Sequence, residues 1–168
     1  MVNQNLIYRK GIREIIMHII KKFSVKNKPF SQYILGKRIV DFHFEVNSPI
    51  EKDCMKIVLE NQTEILIYSF MRILANQRLL FSIADCWLDN KDFDNICELK
   101  KQLIGFQVQS IKFNKIGDFT LLIENGTKIQ SVIDTTLGET DYIRIEKEQE
   151  YYILCRLNNE LITIIGNE

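Results

Sequence analysis

Two stretches of this chain say nearly the same thing in the same order, and that repetition limits the folds open to it more than any other feature. Leu35-Gly36 returns as Ile104-Gly105, Ile39 as Val108, Phe42 as Ile111 and Phe44 as Phe113, all at an offset of 69 residues. The block Ile57-Val58-Leu59-Glu60-Asn61-Gln62-Thr63 returns as Leu121-Leu122-Ile123-Glu124-Asn125-Gly126-Thr127 at an offset of 64. Arg72-Ile73 then returns as Arg144-Ile145, and Gln77, Leu79 and Leu80 as Gln149, Tyr151 and Tyr152, at an offset of 72. Blocks recurring in one order are the mark of a single structural unit used twice.

Within each copy the apolar residues alternate and turn residues separate the segments, which is the pattern of an antiparallel meander. The alternation predicts strands near 38–46, 54–60, 64–70 and 78–84, then 107–115, 118–124, 128–134, 141–146, 150–156 and 161–165. Asn125-Gly126 predicts a type I′ hairpin, since both central positions of that turn need positive φ, and Asn158-Asn159 predicts a similar turn. Two segments have helical period instead. Ile12, Ile15, Ile16, Ile19, Ile20 and Phe23 form one face of a helix over 9–23, ended by Lys28-Pro29. Phe93, Ile96, Leu99 and Leu103 mark a helix at about 92–103, with Asp92 as its N-cap. The fold class that follows is α+β and mostly β: two antiparallel meander units packed together, with an N-terminal amphipathic helix and a connecting helix. One domain, 1–168, divides into a basic helical extension (1–34), a first β unit (35–90), the connecting helix (91–103) and a second β unit (104–168).

Composition excludes several classes. With 46% hydrophobic and 26% charged residues the 168-residue chain has enough apolar matter for a core, so disorder is excluded. No apolar run approaches the roughly 18 residues that cross a bilayer, so neither a membrane span nor a membrane partner is expected. Cys54, Cys86, Cys97 and Cys155 lie far apart with no histidine at ligand spacing, which reads as free thiols in a reducing cytoplasm and not as a metal site or disulfide framework. No cofactor motif is present, and none is expected to bind. The sequons at Asn61 and Asn125 read as hairpin turns.

Charge is uneven although the total is zero. Residues 1–38 carry nine Lys or Arg against Glu14 alone, leaving 13 basic against 21 acidic residues in the remainder. The acid is concentrated twice. Asp85, Asp89, Asp92 and Asp94 surround Trp87, and Glu139, Asp141, Glu146, Glu148 and Glu150 surround Tyr142, Tyr151 and Tyr152. The first stretch lacks the spacing of a calcium loop and fits either a solvated loop capping a helix or the rim of a protein-binding surface with Trp87 as anchor. The second fits strands with carboxylates outside and apolar residues inside, or a surface for a basic partner if Tyr151 or Tyr152 faces solvent. The candidate binding residues are therefore Asp85, Trp87, Asp89, Asp92, Glu139, Asp141, Tyr151 and Tyr152. His18 and His43 stand beside no arrangement that makes a catalytic triad, and His43, between Phe42 and Phe44, is placed on the polar face of a strand. The chain is accordingly expected not to be an enzyme. The basic head invites a nucleic-acid reading, but it has no interleaved aromatics, and its isoleucine stripe points to packing on the domain.

Ile104-Gly105-Phe106-Gln107-Val108, Gly117-Asp118-Phe119-Thr120-Leu121 and Glu124-Asn125-Gly126-Thr127-Lys128-Ile129 resemble a family of small bacterial proteins. Its pattern runs Leu-x-Gly-x-x-Val, then Gly-Asp-x-x-Leu-x-x-Glu-Asn-Gly-x-x-Leu. The first copy departs in having Gln62 for the glycine. The resemblance covers 35–165, and its motifs concern the fold. Proteins that look like this often neighbour secreted toxins, which implies a cytoplasmic immunity protein that neutralises a partner protein, here a basic toxin domain, by occlusion. The alternatives are an interaction or oligomerisation module, for which a homodimer is the simplest form, and a nucleic-acid binder acting through the basic N-terminal helix.

Overall fold

The computed structural model describes residues 30–45, 54–82, 93–114, 118–132, 142–157 and 160–167. The helix expected at 9–23 and the turn at Asn158-Asn159 lie outside them. In chain order the elements are α1 (Ser31–Ile34), β1 (Ile39–Glu45), β2 (Cys54–Leu59), β3 (Glu64–Ile67), β4 (Phe70–Ala75), β5 (Arg78–Ser82), α2 (Phe93–Leu103), β6 (Val108–Phe113), β7 (Phe119–Ile123), β8 (Lys128–Val132), β9 (Tyr142–Lys147), β10 (Glu150–Leu157) and β11 (Glu160–Asn167). The protein is mostly β, as its alternation predicts.

The strands form two antiparallel sheets, ordered β1-β2-β3-β9-β10-β11 and β5-β4-β8-β7-β6. This corrects one expectation: neither half of the chain keeps its meander to itself. After β3 the chain leaves the first sheet and enters the second, so that β3 pairs with β9 and β4 with β8. Tyr68 and Ser69 make the crossing. The Tyr68 N–H still bonds Tyr142 O of β9 at 3.0 Å, while the Ser69 hydroxyl already meets that of Ser131 on β8. No glycine, proline or asparagine marks this joint, which is why β4 reads in the sequence as the tail of the preceding run.

The far edges of the two sheets meet as well. Arg38 and Gln107 form an antiparallel bridge. Around it, Gly36 N donates to Val108 O and Gly105 N to Ile39 O, both at 2.8 Å, while Ile39 N donates to Phe106 O at 3.0 Å and Val108 N to Lys37 O at 2.9 Å. Gly36 and Gly105 have φ of +71° and +88°, a left-handed conformation open to glycine without strain, and each ends a helix. Four residues beyond each glycine, β1 and β6 each carry a bulge, at Val40 and Gln109.

The hairpin at Asn125-Gly126 is not type I′. Ile123 N bonds Thr127 O, Gly126 N bonds Ile123 O, and only Gly126 has positive φ, which describes a three-residue loop with its last residue left-handed. The Asn125 side chain settles the choice: its Oδ1 accepts the Thr127 N–H and its Nδ2 donates to Gln102 O. The β2–β3 hairpin repeats this with Asn61 bonded to Thr63 N–H and Tyr33 O, and Gln62 at φ 63°. Both positive φ values occur instead at Asn76-Gln77, between β4 and β5.

Alternate residues of both sheets point into one core. Ile39, Phe42, Met55, Ile57, Leu59, Ile65, Ile67, Met71, Ile73, Leu121, Ile123, Ile129 and Ile145 are all fully buried. Phe30 lies edge-on to Phe113 (centroids 5.9 Å) and beside Tyr152 (6.0 Å), closing the core under α1. Leu99 and Leu103 of α2 are buried in the same cluster. Removing an isoleucine-sized side chain from water contributes roughly 1.5–3 kcal/mol, so this cluster is the main source of stability.

Candidate binding surface

Because Met71, Ile73, Phe119, Leu121, Ile129, Ser131, Val108 and Ile111 face the core, the residues between them form the outer side of the second sheet. The registers set them in rows. One runs Lys112, Thr120, Gln130, Arg72 across four strands. The next runs Ser110, Leu122, Lys128, Leu74, Leu79 across five. Arg72, Lys112 and Lys128 are exposed, Leu79 is 53% exposed, and the others are half-buried. Arg72 Nε donates to Gln130 Oε1 at 2.9 Å, which holds the guanidinium along the row. The five strands of this sheet contain Arg72, Arg78, Lys112 and Lys128 and no Asp or Glu. No ion pair of these four is found among the described residues.

The first sheet differs. Four carboxylates on or beside it meet cations: Glu64 with Lys56 at 2.7 Å, Glu146 with Arg144, Glu148 with Lys147 at 2.9 Å and Asp41 with Lys100 at 3.0 Å. Asp41 also accepts the Phe42 N–H at 2.8 Å and contacts His43 Nδ1 at 2.8 Å. Partial burial pushes the Asp41 carboxyl up, but the bonds from Lys100, Phe42 and His43 together outweigh it and hold it below the ordinary carboxylate value. His43 thus sits on a polar strand face, as its alternation with Phe42 and Phe44 predicts, and beside a carboxylate that the sequence reading did not single out. The Asp-x-His spacing, two residues apart on one strand face, was the available signal.

Six of the candidate residues, Asp85, Trp87, Asp89, Asp92, Glu139 and Asp141, lie outside the described residues. Tyr151 is half-buried on the outer side of the first sheet, with the Arg144 guanidinium 4.7 Å from its ring centre. Its ring covers Gly166 so closely that a Cβ there would lie 2.1 Å from the Tyr151 Cζ. Tyr152 is only 5% exposed and belongs to the core. Its hydroxyl donates to Glu150 Oε2 at 2.9 Å, and Tyr33 donates to the same oxygen at 3.3 Å. Burial first, and then the bond to Glu150, push the Tyr152 phenol above its usual range. Of the two tyrosines, only Tyr151 has surface to offer a partner.

The basic rows were missed because charge was counted along the chain, where acid dominates beyond residue 38. The signal was there as four runs, 70–82, 108–113, 119–123 and 128–132, without a single carboxylate. Cys54 is buried and Cys97 exposed, and neither forms a disulfide among the described residues. Among the described residues no helix is long and apolar enough to cross a membrane. No family model, curated protein or solved structure matches this chain.

Proposed function

We propose that this chain is a binding protein without chemistry of its own, which neutralises a partner protein by covering it, in the role of a cytoplasmic immunity protein toward a toxin. The observation that carries the reading is the outer side of the second sheet. It is a preorganised surface of mixed cationic and aliphatic residues, backed by a filled core, and such a surface can dock a partner with little ordering cost. We infer further that the chain is one unit used twice, with strands exchanged between the copies. The main-chain bonds around Arg38 and Gln107 support this, because each has a counterpart 69 residues along, as do the two bulges. The test is to purify the chain with the product of the adjacent gene and assay that product as the chain is added. Loss of its activity at stoichiometric amounts is expected; a complex in which the partner stays fully active, or no complex, overturns the reading.

One observation favours self-association as a second reading. Leu35, Val40 and Ile104 are 41%, 47% and 38% exposed, all within a few residues of the Arg38–Gln107 bridge. Sedimentation of the free chain distinguishes a dimer formed there, which Val40→Asp would dissociate.

A further inference from the structure

We propose that the outer side of the second sheet takes an acidic patch on a folded protein. This rests on the occlusion reading and adds the partner's chemistry. Arg72 and Lys112 stand at the two ends of one row, about 14 Å apart at three strand spacings, with Lys128 between them in the next row. The strands of this side carry four cations and no carboxylate, and no ion pair of these cations is found among the described residues, so it attracts an acidic surface across about 8–10 Å of physiological salt. This reverses the polarity that a count along the chain suggests, where the acidic remainder would call for a basic partner.

The cations are interleaved with Leu122, Leu74 and Leu79, and that pattern selects a protein over a nucleic acid. Bases need aromatic platforms, which these two rows do not have, and four cations neutralise few phosphates. Aliphatic residues among a few cations instead match a protein surface, where carboxylates meet the cations and apolar side chains fill the spaces between.

The full-length chain is titrated with labelled poly-L-glutamate, poly-L-lysine and a single-stranded oligonucleotide, followed by anisotropy and by backbone amide shifts. Poly-L-glutamate is expected to bind most tightly and to shift the amides of β4, β7 and β8. The triple variant Arg72→Glu, Lys112→Glu, Lys128→Glu is expected to weaken it by about tenfold or more at about 0.1 M salt. If that variant fails to fold, the triple glutamine variant replaces it, with a loss of about threefold expected. Tighter binding of poly-L-lysine or of the oligonucleotide overturns the proposal, as does unchanged poly-L-glutamate binding by a folded variant. A toxin-like partner that is inhibited while these amides stay still overturns this proposal and leaves occlusion standing. A partner seated on this face but fully active does the reverse.

Discussion

Ile65 of β3 and Ile145 of β9 are cross-strand partners, both with no exposed surface, at the seam where strands from the two halves of the chain become one sheet. Replacing Ile145 by Ala leaves a cavity beneath that seam and is expected to cost about 2–5 kcal/mol. Chemical denaturation measures it. Because the seam belongs to both halves, the loss is expected in one cooperative transition; two separated transitions would contradict a shared core.

Gln62 and Gly126 hold the same left-handed place in equivalent hairpins, at φ 63° and 86°. A side chain there is strained, so Gln62→Gly is expected to stabilise by up to about 1 kcal/mol, and Gly126→Gln to destabilise by a similar amount. Thermal melts of the pair, taken side by side, test the sign of each.

Thr63 is fully buried, and its hydroxyl has no hydrogen-bond partner among the described residues. Thr63→Val keeps the shape and removes a desolvated oxygen, so a gain of about 1 kcal/mol is expected. A loss of stability would show that the hydroxyl is bonded after all.

Asp41 predicts a pH effect with a definite sign. Its carboxyl is held below the ordinary 3.8, so its contribution to stability is present at neutral pH and is lost as the pH falls through the depressed folded value. Lys100→Ala removes the strongest of the lowering contacts, and NMR titration of the carboxyl is expected to show Asp41 moving up in that variant. An unchanged titration would mean that Phe42 and His43 suffice.

Gly166→Ala places a methyl group inside the Tyr151 ring and is expected to turn that ring off the strand and away from Arg144, at a cost of about 1–3 kcal/mol. Ring-current shifts on the Arg144 side chain report the movement; if they persist, β11 has moved instead.

Much of this fold could be read from alternation and turn chemistry. The strands around Ile57, Leu121 and Ile129 fall where predicted because each buries every second residue, and the strand around Phe42 falls there too despite its bulge at Val40. β4 did not, since Ile67-Tyr68-Ser69-Phe70 changes sheets without a turn residue, and partner choice between β3 and β9 depends on a core that no local pattern describes. The hairpin type at Asn125 was misread because its side chain bonds across the loop to Gln102 and Thr127. The candidate surface was read from charge in sequence order, whereas the sheets sort charge by face. Arg72, Lys112 and Lys128 come from three separate segments and come onto one face only through the pairing of β8 and β7.

The crossing at Tyr68 and Ser69 also governs how the chain can be made. As synthesis proceeds from the N-terminus, β3 and β4 emerge long before β9 and β8, the strands that flank them in the finished sheets. Until then both expose open edges, and edges of that kind recruit other chains. A nascent first half therefore waits on the ribosome for its second. That interval is when a chaperone, or a half from a neighbouring copy, has its opportunity to intervene.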